Sequence, residues 1–277
     1  MALKRPVKGR KELHDYEFPI LNFPNELLCL PYGYLDIGSR MKMRSLGNKR
    51  LNETEMETKY RYDNLEISYI THPRTTKDVR LVCDGSVVDI PHSVALKEFE
   101  LLAKNTEFNL VTYKTCIPGD TSTCQALSSL KAKTIEIDVL GMDDTALDMV
   151  MHNKERVIIR RSNVTTNGLF NLYNKMKEES VGVKYVKVEM HDADSRFNFL
   201  VNIGATYDSF PRNENQQVEF DNFKLVVTEG KLKLVASVFC FCGRYPGYVS
   251  FEIMDGEDKA EEEDGEDNME QARHHYR

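Results

Sequence analysis

Two stretches of this chain carry residue types that could do chemistry. His191-Asp192-Ala193-Asp194 follows the strand-like run Tyr185–Met190, and a histidine with two carboxylates at a strand end can bind a metal or move a proton. The preferred reading of the same residues is a polar turn in which an Asp or Ser caps the next helix. Cys240-Phe241-Cys242 ends a strand-like segment, where alternation sends both thiols to one face and Phe239 and Phe241 to the other. Paired zinc cysteines are typically spaced by about two to four residues and need a second pair. The sequence offers no second pair, so buried structural thiols are expected. Gly141-Met142-Asp143-Asp144 reads as a turn plus a helix cap. The chain has no Gly-rich phosphate loop, nucleophile elbow or His-Glu-x-x-His helix. The expectation is a protein that performs no catalysis and needs no metal or cofactor.

The elements that must position any site alternate along the chain. Asn109–Lys114, Thr134–Leu140, Arg156–Arg161 and Tyr185–Met190 are β-branched and aromatic runs of strand length. Between them, Ser93–Lys104, Thr123–Lys131, Asp143–Asn153 and Thr166–Glu179 place apolar residues at helical spacing. In the last of these, Leu169, Leu172, Tyr173 and Met176 share a face. Strand starts recur at irregular intervals within the range of α/β solenoids. Leu127-x-x-Leu130 followed by Ile135-x-Ile137 is faintly like a leucine-rich repeat, although the Asn or Cys ladder of such repeats is missing. An ordinary α/β or α+β domain is the equal alternative. Phe223–Thr228 and Lys231–Phe239 flank Glu229-Gly230 and read as a β-hairpin. Tyr248–Ile253 supplies a third strand, a meander suited to cover the open edge of the sheet. The expected fold class is α/β: a small helical motif, then an irregular, solenoid-like α/β repeat domain ending in that hairpin or meander.

The net charge of −7 conceals two unlike parts. Asp255–Glu270 holds ten acidic residues and one lysine, which leaves the rest of the chain formally near +2. Residues 1–17 form a basic leader with Lys4, Arg5, Lys8, Arg10 and Lys11; both ends are expected to be disordered flanks. The leader could serve as a nuclear-import or nucleic-acid patch, but no aromatic residue interleaves with its charges before Tyr16, so nucleic acid is not an expected partner. With 41% hydrophobic and 29% charged residues, the chain suits a soluble protein with one medium core or two small ones. No apolar run is long enough to span a membrane, and the leader lacks the apolar core of a secretory signal. The six scattered cysteines suit reduced thiols in the cytosol or nucleus.

Residues 18–60 form a separate unit. Pro24 suits a helix start, Glu26 favours the same end through the dipole, and Leu27, Leu28, Tyr32, Tyr34 and Leu35 form an apolar face. Asp36–Ser39 breaks that helix and starts another, with Ser39 as cap. Met41, Met43 and Leu46 supply a second apolar face, while Arg40, Lys42, Arg44, Lys49 and Arg50 are expected to stay wet. So few residues cannot bury enough surface to be stable alone, so they need a partner or the following domain.

The Phe18–Asn52 stretch, with its Pro-x-Glu-Leu-Leu opening, resembles the F-box, most closely the version expanded in nematodes. The resemblance implies a trihelical motif that docks on the Skp adaptor of cullin–RING (SCF-type) ubiquitin ligases. By that resemblance Pro24, Glu26, Leu27, Leu28, Tyr32 and Leu35 contact the adaptor or hold the first helix, and Arg40, Met43 and Leu46 fall in the later helices, with Met43 and Leu46 on the same adaptor-binding surface. Residues 65–254 then recruit a protein target, and 255–277 is an acidic tail. Two residues depart from the family pattern. Pro31 stands mid-helix, at a cost of about 3 kcal/mol. Gly47 is an extra residue in the third helical segment, at about 1 kcal/mol. The alternatives are an α/β interaction module whose degenerate F-box no longer recruits a ligase, or a helical hairpin packed on the large domain.

Overall fold

Alternation along the strands decides which face of this protein is buried. The computed structural model describes residues 24–71, 77–115, 121–139, 141–190, 192–204, 216–221, 224–237 and 247–254. Three short helices come first: α1 (Asn25–Tyr32), α2 (Ile37–Ser45) and α3 (Lys49–Glu57). The strands β1 (Tyr60–Thr71), β2 (Lys77–Cys83) and β3 (Ser86–Pro91) lead into α4 (His92–Asn105). Strand and helix then alternate through β4 (Thr106–Thr115), α5 (Thr121–Ser129), β5 (Lys131–Val139), α6 (Asp144–Val150), β6 (Arg156–Ser162), α7 (Thr166–Lys177), β7 (Tyr185–Met190) and α8 (Ala193–Asn202). Four further strands follow: β8 (Gln216–Asp221), β9 (Lys224–Glu229), β10 (Leu232–Ser237) and β11 (Gly247–Ile253).

These strands make one eleven-stranded sheet of order β3-β2-β1-β4-β5-β6-β7-β11-β10-β9-β8. β1, β4, β5, β6 and β7 run parallel and in chain order, and both flanks are antiparallel. The protein is thus mixed α/β, with eight helices among the described residues. Leu65, Val111, Ile135, Val157, Val186, Phe251 and Leu234 are register partners from β1 to β10 and lie in one buried core. The core side chains of α4, α5, α6, α7 and α8 pack on that face, and successive helices touch one another. Leu169, Leu172, Tyr173 and Met176 of α7 are buried together, as their spacing predicts. Asp143 caps α6 by accepting the Ala146 N–H at 2.9 Å.

The expected hairpin exists as β9 and β10, joined through Gly230 in the left-handed region (φ 59°). β11 pairs with both β10 and β7, so the meander takes up the free edge of β7 and the sheet continues to β8. The antiparallel end at β1–β3 is an addition to the expected elements. β1 starts at Tyr60, so the expected join between residues 60 and 65 falls inside a strand. Asp84 (φ 46°) and Gly85 (φ 87°) turn β2 into β3. An Asp-Gly pair with both residues left-handed is the preferred two-residue hairpin turn.

Three details of the helical unit also differ from expectation. The α2 cap is Asp36, not Ser39: its carboxylate accepts the Ser39 N–H at 2.8 Å and the Ser39 hydroxyl at 2.9 Å. Those bonds hold the Asp36 carboxyl below its ordinary range. Gly47 is not inside a helix. It follows α2 with φ 69° and donates its N–H to the Arg44 carbonyl, so the glycine ends the helix rather than weakening it. Pro31 lies in the last turn of α1, which stops at Tyr32. The Gly33 N–H still reaches the Cys29 carbonyl at 3.0 Å, and the proline is absorbed at the terminus.

Candidate docking site

The helical unit is fixed to the sheet by a buried ionic cluster. Arg40 on α2 and Glu55 on α3 are both fully buried. Arg40 donates Nε and Nη2 to Glu55 Oε1 at 3.0 and 2.7 Å, Nη1 to Thr106 Oγ1 at 3.0 Å, and Nη2 to Asn105 Oδ1 at 3.0 Å. Its guanidinium carbon lies 3.5 Å from the Tyr60 ring centroid. Asn105 returns a bond from Nδ2 to the Glu55 carbonyl at 2.7 Å. Arg44 joins Glu55 at 2.9 Å and also bonds Glu98 on α4. The expectation that Arg40 and Arg44 stay wet is overturned. A fork of five donors suits a site with a carboxylate, an amide and a hydroxyl around it. At the opposite end of α2, Asp36 also accepts the Ser86 hydroxyl of β3 at 3.2 Å.

Eight residues were singled out for adaptor binding, and the fold divides them. Leu28 (1% exposed) and Tyr32 (4%) point inward, where α1 lies against α3. They hold the first helix and are not available to a partner in this arrangement. Leu27 (52% exposed) and Leu46 (67%) point outward. Pro24 and Glu26 are exposed at the start of α1, and Leu35 and Met43 are half-buried. Two further residues join the outward set: Leu30 (65%) and Tyr34 (93%). Leu27, Leu30 and Tyr34 follow the i, i+3, i+7 spacing of one helical stripe, continued just past the end of α1. Leu30 is the site residue that sequence reasoning missed.

The second surface is the face of the sheet that no described helix covers. Its outward positions carry cross-strand charge pairs, Arg80–Asp89 at 2.8 Å, Lys114–Glu66 at 3.5 Å and Arg160–Glu136 at 3.7 Å, and one pair along β7, Lys187–Glu189 at 2.9 Å. Arg161 pairs with Asp138 beside them. Arg156 lies over the Tyr185 ring at 4.1 Å, and Lys187 over the Tyr248 ring at 4.6 Å. Parallel strands are normally covered on both faces. Among the described residues, β4, β5, β6 and β7 keep helices on one side only, leaving a broad mixed-charge surface.

Of the residues that could do chemistry, Asp192 and Asp194 are described and sit at the start of α8. Asp192 caps α8, accepting the Asp194 N–H at 3.0 Å and the Ser195 hydroxyl at 2.6 Å, and the Ser195 bond lowers its pKa. That is the turn-and-cap arrangement preferred from sequence. His191, Cys240 and Cys242 lie outside the described residues. Among the described residues no cluster of three metal-ligating side chains occurs, and no helix is long and apolar enough to cross a membrane. A cavity of about 810 Å³ lies at the amino-terminal edge of β1, β4 and β5, bounded by Arg61, Glu107, Lys131 and Lys133. Ligands of open α/β sheets usually bind at the opposite, carboxyl-terminal edge.

Lys154 is buried, and its ammonium donates to the carbonyls of Ser128, Leu130 and His152 at 3.0, 2.7 and 3.3 Å. Burial pulls its pKa down to about 8. It closes the carbonyl end of α5, where a cation also complements the helix dipole. Comparison with protein-family models, with curated proteins and with solved structures gives no match for this chain.

Proposed function

We propose that this protein is the substrate-recruiting F-box subunit of an SCF-type ubiquitin ligase. The helical unit would hold a Skp-family adaptor, itself attached to a cullin scaffold, and the sheet domain would present a protein target. The observation that carries the reading is the outward apolar stripe of Leu27, Leu30 and Tyr34, together with the exposed Leu46 at the end of α2. Soluble monomers leave scattered apolar residues exposed, but a run at helical spacing on one short unit marks a docking surface. The strand–helix units succeed one another in chain order across the sheet, which supports a solenoid-like reading of residues 106–190. The expected contact set becomes Pro24, Glu26, Leu27, Leu30, Tyr34 and Leu46, with Leu28 and Tyr32 as its inner support. Neither surface asks for chemistry by this protein.

The test is co-purification with a Skp adaptor, comparing wild type with Leu27→Asp/Leu30→Asp. Both side chains are exposed, so the fold is expected to survive, as circular dichroism and the melting midpoint would check. Wild type should retain the adaptor and the variant should lose it at least tenfold. Equal retention by both sinks the proposal.

The competing reading is an interaction module whose helical unit serves only the fold. The buried Arg40–Glu55 cluster favours it, because a unit so fixed contributes to stability whether or not it docks elsewhere. Pro31→Ile separates the two: adaptor binding that appears only in this variant supports a decayed motif.

A further inference from the structure

The bare sheet face is electrically divided. On β6, β7, β11 and β10 its outward positions carry Arg156, Arg160, Lys187 and Lys233 against Glu189 and Glu252. On β1–β5 they carry Glu66, Asp89, Glu136 and Asp138 against Arg80 and Lys114. On this face β6, β7, β11 and β10 are therefore net basic, and β1–β5 net acidic. Among the described residues, Arg156 and Lys233 have no carboxylate within ion-pair distance. Both belong to one row across the sheet, Arg156–Tyr185–Glu252–Lys233.

The chain leaves the sheet from β11, just past Glu252 in the interior of that row. Ile253 and Met254 donate their N–H groups to the Lys184 and Lys231 carbonyls, both at 2.8 Å, and Asp255 comes next. The segment that begins there carries ten acidic residues and one lysine between Asp255 and Glu270. Three strand spacings, about 14 Å, separate Arg156 from Lys233, so a few extended residues cover the row. A segment tethered at this point samples the surface at an effective concentration on the order of millimolar. The cavity at the amino-terminal edge is a poor rival site. Asp63, Asp84, Glu107 and Glu155 line it against Arg61, Lys131 and Lys133, which repels an anion.

We propose that Asp255–Glu270 folds back onto the basic half of the bare face and occupies it as a displaceable anionic strap. This deepens the reading of the sheet domain as the target-presenting part. The chemistry it assigns to an external partner of that face is an acidic peptide, able to compete with the strap.

Zero-length carbodiimide coupling of carboxylates to amines in the full chain, followed by peptide mapping, tests the contact. Coupling is expected from strap carboxylates to Lys187 and Lys233 within one chain. It should disappear at about 0.5 M salt, where the screening length falls to a few ångströms. In Arg156→Glu/Arg160→Glu, coupling to Lys187 should fall at least tenfold. A synthetic peptide of residues 255–270 should bind a full chain whose strap carboxylates are all amides at least tenfold more tightly than it binds wild type.

Coupling to Lys4, Lys8 or Lys11 of the leader, or only between chains, overturns the proposal. So does equal peptide binding by both chains. A single-stranded oligonucleotide bound equally by both chains through Tyr185 and Tyr248 would also overturn it, making the face a stacking platform instead. None of these readouts involves the adaptor, so failure here and failure of the adaptor co-purification are distinguishable.

Discussion

Two arginine–carboxylate pairs near the same end of the sheet differ in almost everything except chemistry. Arg80 meets Asp89 through two parallel bonds, at 2.8 and 2.9 Å, on the bare face, with both side chains nearly half exposed. Arg40 meets Glu55 beneath the helical unit with both side chains fully buried. Water can replace either partner of the first pair, so its geometry carries little energy. No water replaces Arg40, and the removal of either partner leaves a charge stranded. The buried pair therefore sets the position of α2 and α3 on the sheet, whereas the exposed pair leaves the surface open to exchange partners.

Breaking the buried side of that comparison should have the largest effect. Arg40→Met is expected to lower stability by about 3–5 kcal/mol in urea unfolding, because Glu55 stays buried and loses its main donor. Arg40→Lys should rescue little, since an ammonium cannot reach Glu55, Asn105 and Thr106 together. A midpoint unchanged from wild type in either variant would remove the distinction drawn here.

A second buried cation sharpens the point, because it fills space as well as carrying charge. The Arg196 guanidinium of α8 occupies the volume that a Cβ on Gly247 would need, and it donates to Ser237 Oγ at 3.1 Å. Gly247→Ala should cost about 1–3 kcal/mol by overpacking, read from the same unfolding curves.

Lys154 extends the comparison to pH. Its folded pKa of about 8 lies below the ordinary 10.5, so between those values the unfolded chain holds more protons. Stability contributed at this site therefore rises with pH across that window, as the penalty for a buried charge fades. The stability of wild type relative to Lys154→Met should increase from pH 8 to pH 10.5. A flat difference would show that its charge is not penalised by burial.

Asp36→Ala, which removes the α2 cap and the tie to Ser86, should cost about 1 kcal/mol at neutral pH. The Asp36 pKa is depressed, so this contribution is complete above its ordinary 3.8 and is lost as pH falls through the lower folded value. The smallest effect should be Arg80→Ala, whose melting midpoint is expected to match wild type. A loss as large as that of Arg40→Met would mean that exposure does not decide the worth of these pairs.

The sequence made the middle of the sheet plain and left its edges and sides obscure. Runs such as Ile135–Val139 and Val157–Ile159 are strand-forming wherever they sit, and the helix between Thr166 and Lys177 declares itself by four apolar residues on one face. The β2–β3 hairpin was equally readable from Asp84-Gly85, but Arg80 and Asp89 disguise strands whose outward positions are charged. Burial of Arg40 left no such trace. It sits among basic residues, and its partners Asn105 and Thr106 lie 65 and 66 positions away. The sides of α1 were ambiguous because Leu27 and Leu28 are adjacent on an eight-residue helix, so hydrophobicity alone could not say which faced in.

Those 65- and 66-residue separations also impose an order of assembly. Helices α1–α3 are made early during synthesis, yet Arg40 cannot find its amide and hydroxyl until α4 ends and β4 begins. Contacts so distant along the chain close slowly, because the loop between them must first be ordered. A nascent or truncated chain that stops before Asn105 should thus display its amino-terminal helices without their final setting. Completion of the first parallel strand pair, β1 with β4, becomes the event that sets the helical unit in its final place.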